Sequence, residues 1–107
     1  HYATNILQTI FRTLMRVQVY AENGRIAQAL RYYPELCRTF EDWLVRYAYY
    51  MPLGASGRID RRSIMRSNTE KIFSVEDISS YRKCVIEYIS GMTDTFAIRI
   101  YEEIITF

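Results

Sequence analysis

Residues 74–106 carry two apolar stripes at helical spacing, separated by Gly91-Met92-Thr93-Asp94. Ile78, Tyr81, Val85, Tyr88, Ile89 and Met92 recur every three or four positions before the joint. Phe96, Ala97, Ile100, Tyr101 and Ile104 do so after it. A period near 3.6 on both sides of a glycine reads as helix, break, helix. Ser74-Val-Glu-Asp77 has the spacing of a capping box and predicts the start of the first of these helices. Thr93 or Asp94 is expected to cap the second. Ile98 and Ile105 lie off the main stripe, so the last helix is apolar on more than one side and needs a cover.

The same period runs through the first half. Thr4 or Asn5 is placed to cap a helix whose stripe is Ile6, Ile10, Leu14, Val17 and Ala21, widened by Leu7, Phe11, Met15, Val19 and Tyr20. Asn23-Gly24 predicts its end. A short helix is expected over 25–33, on Ile26, Ala29, Leu30 and Tyr33. Pro34 suits the first turn of another. That helix would present Leu36, Phe40, Trp43 or Leu44, Tyr47 and Tyr50, and stop at Met51-Pro52. Residues 53–72 hold two Gly, three Ser and four Arg, an irregular stretch with room for a short helix over 60–65. Only four Gly and two Pro occur in 107 residues, half of them apolar, where an average protein has about 12% Gly plus Pro. The expected fold is all-α: a small bundle of about four to five helices with one long irregular Arg-rich loop. This length suits one domain or a piece of one, burying about two-thirds of its unfolded surface.

Charge is uneven. Residues 1–66 carry ten Arg against five acids, and residues 67–107 four basic residues against seven acids. The first part suits an anionic partner, or the two parts neutralise each other. Cys37 and Cys84 form no CxxC and read as small buried thiols of a reducing compartment, with a disulfide as the alternative. No apolar run approaches the ~18 residues of a membrane span, and no signal-peptide pattern is present. A soluble, cytoplasmic protein without membrane contact is expected.

The sequence offers little catalytic chemistry. Its one histidine is His1, so neither a multidentate His/Asp metal site nor a convincing Ser-His-Asp arrangement is available. Gly54-Ala-Ser-Gly57 lacks the Lys-Ser/Thr of a P-loop. Arg58, Arg61, Arg62 and Arg66, with Asn68 and Lys71 just beyond, form the one basic cluster. Guanidinium forks suit phosphate, so contact with a dNTP or single-stranded DNA is the functional reading and a solvated surface the bland one. Tyr32, Tyr33, Tyr47, Tyr49 and Tyr50 suggest an interface more than a base-stacking wall. Asp94 reads as a cap or as a contact to ligand or partner. Arg99 reads as a surface residue or as the partner of Glu102 or Glu103.

The segment Glu87–Tyr101 resembles the C-terminal signature of bacterial dGTPase-like deoxynucleoside triphosphate triphosphohydrolases, D-Y-I-x-G-M-T-D-x-[FY]-A-x-x-x-Y, which are HD-domain phosphohydrolases. Tyr88, Ile89, Gly91, Met92, Thr93, Asp94, Phe96, Ala97 and Tyr101 fit it, and Glu87 replaces the usual Asp. Asn68-Thr-Glu-Lys-Ile-Phe73 is similar to a second phrase of that family. The resemblance implies a parent enzyme that splits dNTPs with a divalent metal held by its HD domain. This chain, 1–107, would be a helical C-terminal fragment that binds no cofactor itself, packs on the HD domain, helps wall the nucleotide pocket and supports a homo-oligomer. Tyr88, Gly91, Met92, Thr93, Asp94, Phe96 and Tyr101 would then be structural. With His1 and no Met at the start and Phe107 just after Ile104-Ile105, a fragment of a longer protein or a separately expressed C-terminal domain is expected. The competing reading is a stand-alone helical module binding protein or nucleic acid. The last helix suits DNA poorly, since Arg99 is its one basic residue and Glu102-Glu103 follow.

Overall fold

The computed structural model describes residues 2–53 and 71–106. Arg58, Arg61, Arg62, Arg66, Asn68 and the short helix expected over 60–65 lie outside the described residues. Six α-helices follow in order: α1 Tyr2–Arg16, α2 Gln18–Glu22, α3 Ile26–Ala29, α4 Pro34–Tyr47, α5 Ile78–Ser90 and α6 Asp94–Thr106. Among the described residues there is no strand, only an isolated parallel bridge between Ala48 and Phe73. The all-α expectation holds. The four long helices are the ones the stripes marked, α3 falls within the short helix expected over 25–33, and the extra element is α2, split from the expected first helix.

The expected first helix divides at Val17, and Tyr81 gives the reason. Its buried hydroxyl donates to the Leu14 carbonyl oxygen at 2.6 Å. The Val17 N–H meets that same oxygen at 3.4 Å, an i→i+3 bond where the helix would make i→i+4. A side chain inserted into the backbone ladder breaks a helix in this way. The expected stripe survives the break, because Ile6, Ile10, Leu14, Val17 and Ala21 are all buried.

The stop at Asn23-Gly24 is observed, and it requires glycine. Gly24 has φ +70°, and a Cβ there would lie 2.3 Å from the Met51 carbonyl oxygen. The Leu53 N–H donates to the Gly24 carbonyl at 2.8 Å, so this turn seats the chain beyond α4.

The centre of the fold is Phe40 of α4, fully buried, with Tyr81 and Tyr88 edge-on at 6.4 and 5.1 Å between ring centroids. Leu44, not Trp43, continues the buried stripe of α4. That helix ends at Tyr47, short of the expected Met51-Pro52, because residues 47–49 pair with 72–73 instead. The Ile72 and Phe73 N–H groups both donate to the Tyr47 carbonyl, at 2.8 and 3.1 Å. The Tyr49 N–H donates to the Phe73 carbonyl at 2.8 Å. Tyr50 therefore reaches the core from a turn beyond the helix, its N–H on the Ala48 carbonyl at 2.8 Å. Its hydroxyl donates to Glu41 Oε2 at 2.8 Å and accepts from the Ile26 N–H at 3.2 Å.

The capping box predicted at Ser74 is not formed. Asp77 is the cap, accepting from the Ser79 N–H at 3.0 Å, and α5 begins at Ile78. Ser80 instead turns back to accept from the Ser74 N–H at 2.8 Å. With that start, Tyr81, Cys84, Val85 and Tyr88 face inward, and Ile78, roughly 70° round the helix from their centre, is 52% exposed.

Candidate functional site

The signature residues meet at the α5–α6 junction. Gly91 ends α5 with helical φ of −85°, its N–H on the Glu87 carbonyl. Thr93 then caps α6: its Oγ1 accepts from the Phe96 N–H at 3.1 Å, and its carbonyl accepts from Ala97 at 2.9 Å. Of the two expected caps, Thr93 serves, and Asp94 becomes the first helical residue, exposed to solvent. A carboxylate in that position still favours the positive end of the helix.

Tyr88, Gly91, Met92, Thr93 and Phe96 line one shallow groove of about 400 Å³, closed on the α4 side by Trp43. Tyr88 is buried along most of its length, and its hydroxyl lies 2.6 Å from Thr39 Oγ1. Burial pushes its phenol up to about 12, although the Thr39 bond pulls the other way. Trp43 stacks obliquely on Tyr47 at 4.4 Å and donates its indole N–H to Cys84 Sγ at 3.3 Å. Burial raises the Cys84 thiol to about 11, partly opposed by that indole bond. Both cysteines are buried, and neither forms a disulfide. A raised thiol inside a core is a poor nucleophile at neutral pH.

Gly91 lacks the usual reasons for glycine. Its φ is ordinary, and a Cβ would meet nothing closer than the Tyr88 carbonyl at 3.7 Å. Gly91 is exposed and lines the groove with Trp43 and Phe96. Tyr101, the last signature residue, packs half-buried against the core.

Of the six residues expected to meet phosphate or nucleic acid, Lys71 alone is described. Its ammonium sits 5.4 Å from the centroid of the exposed Tyr49 ring. The tyrosine-rich stretch does not form one outward wall, since Tyr50 is in the core. Among the described residues no three His, Cys, Asp or Glu side chains converge on a metal-sized position. No described helix is long and apolar enough to cross a membrane.

One base and one acid of α6 do work that sequence spacing did not reveal. Arg99 pairs with Glu35 of α4, at 2.7 Å, rather than with Glu102 or Glu103. Glu103 accepts from the Glu35 and Leu36 N–H groups at 2.9 and 3.0 Å, capping α4 with both carboxylate oxygens. Sequence separations above sixty residues leave no local pattern to read. The one hint was the start of α4 itself, where Tyr33-Pro34 offers no side-chain cap.

Residues 56–103 match the family model of the phosphohydrolase-associated domain. The match takes in all of α5 and α6 through Glu103, and leaves α1–α4 outside it. No curated protein and no solved structure matches the chain.

Proposed function

We propose that this chain is the non-catalytic helical part of a dGTPase-like deoxynucleoside triphosphate triphosphohydrolase, packing on the HD catalytic domain and supporting its nucleotide pocket and oligomer. The observation that carries this reading is the match to a domain associated with phosphohydrolases over residues 56–103, which spans the signature junction. The groove at that junction supports it too, because it offers Trp43, Met92 and Phe96 to a partner surface. The divalent metal and its ligands belong to the HD domain in this reading. Arg58, Arg61, Arg62 and Arg66 would dock against that domain or against dNTP phosphates.

The test starts from the gene. A segment encoding an HD domain in the same reading frame is expected, and its absence overturns the proposal. With that segment expressed separately, calorimetric titration should show it binding this chain. Release of triphosphate from dGTP with magnesium or manganese should be nil for this chain alone and should rise when it is added to the HD segment. Turnover by this chain alone, or an HD segment equally active without it, refutes the assigned role. Replacing Arg61 and Arg62 with Ala should weaken the titrated association. A reduced salt dependence of dNTP binding would instead mark phosphate contact.

A further inference from the structure

Two charged faces of opposite sign lie on the adjacent helices α1 and α6. On α1, Thr9, Phe11, Arg12, Thr13, Met15 and Arg16 line a groove of about 540 Å³ with Ile104 of α6. The two guanidiniums make long bonds to neutral oxygens: Arg12 to Gln8 Oε1 at 3.4 Å and Arg16 to Thr13 Oγ1 at 3.5 Å. Arg82 of α5 stands over the Phe11 ring at 5.9 Å and adds a third positive charge. Neither Arg12 nor Arg16 is within ion-pair distance of an acid among the described residues.

On α6, Asp94, Ile98, Glu102 and Ile105 recur at spacings of four, four and three, so they share one side of the helix. Asp94 and Glu102 are exposed, neither forms an ion pair among the described residues, and Ile105 is 58% exposed. Leu7, 42% exposed, joins Asp94 and Ile98 around a second hollow of about 220 Å³ between the same two helices. A groove that sets Phe11, Met15 and Ile104 beside arginines without ion pairs, and an isoleucine ridge beside acids without ion pairs, are complementary in charge.

We propose that a second copy of this chain docks here, with the Ile98–Glu102–Ile105 ridge of one copy in the Phe11–Met15 groove of the other and Glu102 facing Arg12 and Arg16. In a two-fold dimer each copy would give and receive the same contact. The isoleucines supply the buried area. The charges set register and exclude the parallel arrangement, which would bring arginine against arginine. This deepens the oligomer part of the reading above. It does not need the HD domain, so a failed HD titration leaves it standing, and a strictly monomeric chain that binds the HD segment overturns it alone.

The experiment is sedimentation velocity on the whole chain across a concentration series at two salt concentrations, with circular dichroism on each variant. The expected wild-type result is a dimer that weakens as salt rises. E102R, and separately R12E/R16E, should weaken dimerisation by about tenfold or more. R12E/R16E/E102R, which swaps the signs, should recover most of it. A wild-type monomer throughout, reversals without effect, or a triple variant no better than R12E/R16E each refutes the interface. An HD segment that competes with the dimer for this surface would reassign it to that partner.

Discussion

The starts of α5 and α6 are capped from within three residues, by Asp77 and Thr93. The start of α4 is capped from α6, by Glu103, a sequence separation of 68 from Glu35. The first two caps are local chemistry that would help these helices in isolation. The third exists only once α4 and α6 have met. The same division runs through the molecule. Residues 2–53 acquire several decisive bonds from the other segment: Leu14 from Tyr81, Tyr47 from Phe73, and the head of α4 from Glu103. The family match covers the segment that supplies these bonds, and the unmatched helices are shaped by them.

That comparison is most severely tested at Tyr81. Tyr81→Ala removes a fully buried ring beside Phe40 and should cost about 4 kcal/mol in urea denaturation. Tyr81→Phe should cost only about 1 kcal/mol. If the hydroxyl is what divides α1 from α2, amide exchange in Tyr81→Phe should show Gln18 newly protected. An unchanged exchange pattern would mean the break is set elsewhere.

Alkali should loosen the packing of α5 on α4, where Cys84 meets Trp43 and Tyr88 meets Thr39. The Cys84 thiol, normally near 9, is raised to about 11 by burial, and the Tyr88 phenol, normally near 10, to about 12. In both groups the protonated form is the one the fold holds. Their contribution is therefore complete below pH 9 and is lost as pH rises from about 9 towards 12. A two-unit shift corresponds to about 3 kcal/mol for each. Cys84→Ala should remove the part of the slope between pH 9 and 11, and a slope unaltered by it would assign that loss to other groups.

The caps give the direct contrast. Glu103→Ala leaves two N–H groups at the head of α4 without their charged acceptor and should cost about 2 kcal/mol. Asp77→Ala or Thr93→Ala should cost about 1 kcal/mol each. In a peptide spanning 74–106, the two local substitutions should still reduce helicity, whereas Glu103→Ala should not. Equal effects of all three in that peptide would erase the distinction between local and distant capping.

The smallest effect is expected at Arg99. Its pair with Glu35 is exposed on the arginine side, so Arg99→Ala should change stability by about 0–1 kcal/mol. A larger loss would show that Glu35 and Glu103 need that guanidinium to lie together.

Much of this fold was legible before its coordinates. The stripes of α1, α4, α5 and α6 specify which sides are buried, since period 3.6 expresses a single physical demand for an apolar side. Asn23-Gly24 and Thr93 were legible because capping chemistry is local. What escaped depends on distant groups. Nothing near Val17 announces the Tyr81 hydroxyl, and nothing near Ala48 announces Phe73. Ser74-Val-Glu-Asp77 had valid box spacing, yet the Asp took the cap and shifted the start of α5 by three residues. At the candidate site, Tyr88, Gly91, Met92, Thr93 and Phe96 of the signature line one groove. The role of Trp43 in closing its groove came only from α4 packing beside α5.

Trp43 has one more consequence. It is the chain's sole tryptophan, it borders the signature groove, and its indole nitrogen touches a thiol. The protein thus carries an intrinsic optical reporter at the junction most characteristic of it. Selective excitation of the indole reads one location. Water expelled from the groove by a docking surface would move the emission towards the blue, and ionisation of the thiol would dim it. Occupancy of this surface can be followed without a label.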